Sequence, residues 1–257
     1  MTATPVLHQF RHSHYNEKAR WALDWKGVAH VRVSHLPGPH LPQLRRLSGQ
    51  SGTPVLELGG EMIPGSAQII AALERRFPER ALYPADPALR RRALEIEETF
   101  DREVGPAVRT LLYSVLLPEP GYLCGIFTEG KPAPVRALYR GFFPLLKPVM
   151  ARVNGVTGAD AVARAFARTE QALGEVAKLA EGSAALVGDA FGVADLACAS
   201  LLALVVDPDH PDMVYPKPIP ERVAHLLARF ASHPGAQWVL AQYARHRPAP
   251  CAVAPPA

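Results

Sequence analysis

The run Phe10-Arg11-His12-Ser13-His14-Tyr15-Asn16-Glu17-Lys18-Ala19-Arg20-Trp21-Ala22-Leu23 decides the fold. Before it, residues 5–10 (PVLHQF) form a short β-prone run. From Tyr15 to Lys26 the apolar positions recur at spacings of three and four, which predicts a helix ended by Gly27 in a left-handed cap. Ser13 therefore stands at a strand-to-helix junction. Serine there has two readings that do not exclude each other. It is a favoured N-cap. The positive end of a helix also suits a thiolate or another anion, and a hydroxyl can donate to a thiolate sulfur and favour its ionised form.

Outward from that junction the pattern stays mixed. Residues 28–33 (VAHVRV) alternate as a second strand, and LPGPHLPQL is a loop leading into a short helical turn. Pro54 to Leu58 is a third strand, Gly59-Gly60 a tight turn, and Glu61 to Ile63 opens a fourth strand. A helix from Ser66 places Ile69, Ile70, Leu73 and Phe77 on one face and ends near Pro78. The order is β-α-β-(α)-β-β-α, a mixed sheet covered by helices.

After Tyr83-Pro84 the strand signals vanish. A helix spans 87–104, and Gly105-Pro106 is expected to bend or break it. Residues 118–134, rich in proline and glycine, read as a loop or broken helix. Further helices are expected at about 159–181, 192–206, 220–231 and 235–246. Leu138 to Met150 is apolar with scattered cations. Two prolines there argue against a clean membrane-interface helix and favour pocket lining or domain packing. The tail RPAPCAVAPPA reads as disordered. The domains are thus 4–83, 84–246 and a tail at 247–257.

The 257 residues carry a net charge of +4 with no dense basic block, so no nucleic-acid footprint is present. Cys124, Cys198 and Cys251 form no CxxC, which fits reduced cytoplasm better than a disulfide framework. No secretory signal is visible, and the longest apolar stretch, 194–206, is too short to span a bilayer. Six of the ten histidines lie within the first 40 residues. His12 and His14 have a possible metal spacing, yet no Cys or carboxylate completes a set, so no metal is expected. Loop and surface positions fit them better, with His12 or His14 lining the site at Ser13.

The turn Ser13-His14-Tyr15-Asn16 and the helix Glu17 to Leu23 resemble the active-site turn and first helix of cytosolic glutathione transferases, in branches whose turn carries Ser or Cys. Thr53-Pro54-Val55-Leu56, Gly65-Ser66-x-x-Ile69 and Phe191-Gly192-Val193-Ala194-Asp195 are similar to three further family elements and fall in the family's order. The resemblance implies an α+β/α chain: a thioredoxin-like β-α-β-α-β-β-α domain followed by an all-helical domain.

It also implies roles. Ser13 would stabilise the glutathione thiolate. Thr53 would pair its backbone with the cysteinyl part, aimed by a cis Pro54. Ser66 would cap its helix and bind the γ-glutamyl carboxylate, and His40 would approach the glycyl carboxylate. Tyr15, Asn16, Arg109 and Tyr113 would face the substrate cleft, although Arg109 has an equal alternative in an ion pair with Glu98 or Asp101. Asp195 would cap its buried helix. Gly65 and Gly52 depart from the family, because they lack side chains that grip glutathione. With no cysteine at residues 13 or 16, thiol-disulfide chemistry is not expected. The implied partners are glutathione as co-substrate, a small apolar electrophile, and a second copy in a homodimer. Two functions follow: a transferase using the glutathione thiolate, or a binding or regulatory protein that kept the fold with weakened glutathione affinity.

Overall fold

The computed structural model describes residues 3–254. Strands β1 (Val6–Gln9), β2 (His30–Ser34), β3 (Val55–Leu58) and β4 (Glu61–Pro64) alternate with α1 (His14–Trp25), α2 (Leu41–Ser48) and α3 (Ser66–Arg76). The sheet order is β4-β3-β1-β2. β1 runs parallel to β2, with Leu7 opposite Arg32, and antiparallel to β3, with Leu7 opposite Leu56. Gly27 takes φ +67° just after α1, as the left-handed cap requires. The expected mixed sheet is the thioredoxin-like one.

The rest of the chain is helical: α4 (Pro87–Thr99), α5 (Gly105–Leu116), α6 (Pro120–Phe127), α7 (Ala133–Val153), α8 (Ala159–Leu179), α9 (Val193–Val206), α10 (Glu221–Phe230) and α11 (Pro234–His246). Every residue of α9 from Val193 to Val205 is buried, the behaviour of a helix that is apolar all round. Asp195 holds its N-terminus, accepting from Leu186 N–H at 2.8 Å and Gly192 N–H at 3.0 Å. Burial pushes its carboxyl up to about 6.

Three expectations need correction. Gly105-Pro106 does not break the helix. Phe100–Val104 instead widens into a π-helical turn, with Gly105 N–H bonded to Phe100 O. In that register Asp101 O would be served by residue 106, and proline has no N–H to give. Tyr15 Oη donates to Asp101 O instead, at 2.5 Å. The second correction concerns 118–134, which contains a regular helix, α6, over Pro120–Phe127. The prolines at 144 and 148 likewise sit inside an unbroken α7. Both are exposed, so solvent can reach the carbonyls they leave without helical donors.

The third correction concerns the tail. Residues 252–253 form β5, parallel to β2, which completes a five-stranded sheet. Arg247 is the reason for the docking: its side chain is wholly buried, with Glu17 at 2.7 Å, Asp24 at 2.8 Å and Asp212 at 2.9 Å. Cys251 N–H donates to Asp24 at 2.7 Å. Residues 255–257 lie outside the described residues.

Candidate active site

The α1 N-terminus, the loop before β3 and the helices α5 to α7 enclose a cavity of about 370 Å³. Ser13 lines it from the N-cap position of α1, with extended backbone and no side-chain cap bond. The cap reading of this serine is therefore wrong in its chemistry. Its carbonyl accepts from Glu17 N–H at 2.8 Å, while the hydroxyl has no hydrogen-bond partner among the described residues. Thr53 lies across the cavity, and the Thr53–Pro54 peptide is cis. Pro54 itself is buried.

Asn16 is not in the cleft wall. It is fully buried and donates its amide to Thr53 Oγ1 at 3.0 Å, so it ties α1 to the Thr53 loop. Tyr15 borders the cavity, and its hydroxyl is committed to Asp101 O. That burial and the nearby Asp101 carboxylate push the phenol up to about 12. His40 lines the cavity with both ring nitrogens engaged: Nδ1 accepts from Gly38 N–H and Nε2 donates to Ser51 O, each at 3.0 Å. It has no free N–H for a carboxylate.

Arg109 and Tyr113 both line the cavity from α5. The ion-pair alternative for Arg109 fails, since Glu98 pairs with Arg102 and Asp101 with Lys18. The Arg109 guanidinium makes no ion pair or hydrogen bond among the described residues, and its Nε is buried without a partner. His14 beside it is buried and donates to Gly105 O at 3.1 Å. Burial first, and the Arg109 charge second, hold that imidazole down at about 3, so it stays neutral. His12 is held by Glu129 at 3.1 Å from the helical half. No cluster able to hold a metal exists among the described residues.

Ser66 and Gly65 face a second cavity of about 340 Å³, which Tyr15 also borders. Gly65, not Ser66, is the N-cap of α3, and Ser66 is the first helical residue. Gly65 has φ +88°, and a Cβ there would meet the Gln68 amide oxygen at 2.5 Å. Leu94, Glu97, Glu98, Asp101 and Arg102 also line it, with Glu98 paired to Arg102 and Glu97 and Asp101 to Lys18.

The first-helix residues hid a role that the sequence reading missed. Lys18 is fully buried and reaches Glu97 at 2.8 Å and Asp101 at 2.6 Å. Arg20 bonds Glu17 at 2.9 Å and Gln9 at 2.7 Å. Three charged residues in a row of four (17, 18 and 20) on a helix whose other faces are apolar were the available signal.

Residues 7–81 match the family model described as the glutathione S-transferase N-terminal domain. No curated protein matches the chain by sequence comparison. Among solved structures, a glutathione S-transferase of Methylobacillus flagellatus KT with glutathione bound is 17% identical, has a TM-score of 0.62 and covers 94% of this chain and 95% of its own. The theta class glutathione S-transferase of Xanthomonas axonopodis pv. citri, also with glutathione bound, is 18% identical (TM-score 0.58, covering 92% and 97%). The β-etherase LigF of Sphingobium sp. strain SYK-6 is 16% identical (TM-score 0.61, covering 93% and 100%). At these identities the structures speak to the fold. Residues 7–81 thus match a glutathione S-transferase N-terminal domain, and over its length the chain shares its fold with these structures.

Proposed function

We propose that the protein is a glutathione transferase that directs the glutathione thiolate at an apolar electrophile. The observation that carries this reading is Ser13: an uncapped hydroxyl at a helix N-terminus, facing a cavity with Thr53 on one side and an unpaired Arg109 on another. The hydroxyl donates to the sulfur, while the α1 N-terminus and the Arg109 charge favour its anionic form. Thr53, held by Asn16, offers its backbone to the cysteinyl part of the tripeptide. Leu112, Leu116, Ile126 and Phe127 supply an apolar wall for the electrophile. No covalent enzyme intermediate is needed.

The second cavity takes the γ-glutamyl end in this reading. Its carboxylate meets the α3 N-terminus at Ser66. Its ammonium meets Glu98, an exposed carboxylate of that cavity, which it shares with Arg102. Gly65 supports the rival reading as well, a binding or regulatory protein with weakened glutathione affinity, since no acidic side chain projects from the α3 cap.

Calorimetric titration with glutathione separates the two, together with a Ser13→Ala variant in a conjugation assay. A transferase binds glutathione at millimolar concentration or tighter. Ser13→Ala should then lose about 10- to 100-fold in kcat/KM, the worth of one hydrogen bond to a charged atom. Absence of binding at that concentration selects the rival reading.

A further inference from the structure

We propose that Arg109 and Tyr113 form a carboxylate-binding site on α5, and that the electrophile taken by this cleft is an apolar molecule bearing one carboxylate. The two residues are four apart on one helix, so their side chains leave the same face, and both line the Ser13 cavity. Neither has a partner: the Arg109 guanidinium and the Tyr113 hydroxyl make no ion pair or hydrogen bond among the described residues. Of the Arg109 nitrogens only Nε is buried, which leaves both Nη atoms accessible. A guanidinium presents its donors as a planar fork that matches the two oxygens of a carboxylate. Burial pushes the Tyr113 phenol up to about 12, so it remains a donor at neutral pH.

Other donors of the lining are committed. His14 and Tyr15 serve carbonyls of the helical half, and His40 spends both ring nitrogens on backbone. Lys131 donates to Ser34 O at 2.8 Å, and Tyr215 to Leu204 O at 2.7 Å. Charge points the same way. The lining holds Arg11, Arg109 and Lys131 against one carboxylate, Glu129, which Arg11 and His12 already engage. A cleft with that balance and apolar walls draws anions.

Position gives the carboxylate to the electrophile and not to glutathione. Arg109 and Tyr113 share their face of α5 with Leu112 and Leu116, whereas Thr53 and Ser66 belong to the other half of the chain. Gly105 lies one turn before Arg109, about 6 Å along the helix, and packs over His14 and Tyr15. The charged end of the wall is therefore the end at the active-site turn. A molecule laid along α5 sets its carboxylate near that turn and its apolar part toward Leu116. The guanidinium that favours the thiolate in the open cleft takes the carboxylate once the electrophile enters. Calling the bearer an electrophile rests on the function proposed above; the carboxylate site does not.

Calorimetric titration of the full chain with 4-phenylbutyrate and with its uncharged amide, 4-phenylbutyramide, tests the site. Both probes are unreactive, and no glutathione is present. The carboxylate is expected to bind at least about tenfold tighter than the amide, the worth of hydrogen bonds to a charged group. Arg109→Gln should erase that preference and leave the amide affinity unchanged, while Arg109→Lys should keep part of it. Tyr113→Phe should narrow it several-fold. Equal binding of the two probes by the wild type overturns the proposal, as does binding of neither at millimolar concentration or a preference that survives Arg109→Gln. A loss of glutathione affinity in Arg109→Gln with the phenylbutyrate preference intact assigns the guanidinium to glutathione and also overturns it. A preference that Arg109→Gln removes, in a chain that binds no glutathione, keeps the site and overturns only the transferase reading.

Discussion

At the residue scale, the first turn of α1 divides its labour among four adjacent side chains. Ser13 keeps a free hydroxyl, His14 spends its ring N–H and Tyr15 its hydroxyl on carbonyls of the helical half, and Asn16 holds Thr53. His14 has a measurable consequence. Its folded value near 3 lies below the ordinary 6.5, so between those values the unfolded chain binds more protons than the folded one. Stability conferred by the neutral imidazole is therefore complete above about 6.5 and is lost as pH falls toward 3. Asp195, raised to about 6, acts with the opposite sign over its own narrower window. Urea midpoints at neutral pH and near pH 4.5 should differ less in His14→Gln than in the wild type. An equal difference in both proteins would remove His14 from the acid sensitivity.

At the element scale, the join of α4 to α5 is the hinge of the site. Gly105 carries no side chain because a Cβ there would strike Tyr15 Oη and come within 3.3 Å of His14 Nε2. The helix passes close over the active-site turn, and the π-helical turn with Pro106 frees the carbonyl that Tyr15 then occupies. Gly105→Ala should cost about 1–3 kcal/mol, the usual range for overpacking. Its cost should shrink in a Tyr15→Ala background, as measured by a double-mutant cycle in urea. Additive costs would show that Tyr15 is not the obstacle. Gly105 and Pro106 are legible as a singular point in the sequence. The outcome, a widened turn in place of a break, is not, because it depends on a tyrosine ninety residues earlier offering a hydroxyl.

At the scale of the whole molecule, a buried charge network closes the chain on itself. Arg20, Arg32 and Arg247 face Glu17, Asp24 and Asp212, three guanidiniums against three carboxylates. Burial alone would raise the Glu17 carboxyl, yet Arg247 and Arg20 hold it below the ordinary value. Removing one member strands the rest. Arg247→Ala should cost about 3–5 kcal/mol in unfolding free energy and loosen β5 from β2, the range seen when one partner of a buried pair is lost. Hydrogen exchange at His30, whose N–H donates to Cys251 O, would report the loosening. A variant as stable as the wild type would show that the network carries no net weight.

The sequence by itself determined the β-α-β-α-β-β-α order of the first half and the identity of Ser13 as the residue at the helix mouth, while the cis proline followed from the family resemblance. Those features are local: apolar periodicity, glycine and proline punctuation, and short motifs act over a few residues. Only the tertiary structure decided which polar groups were free. Asn16 went under the site, His40 lost both nitrogens to backbone, Arg109 was left without a carboxylate, and a proline-rich tail became a strand. Each outcome depends on partners tens to hundreds of residues away, because a buried charge or donor takes whatever complementary group the packed fold brings within about 3 Å.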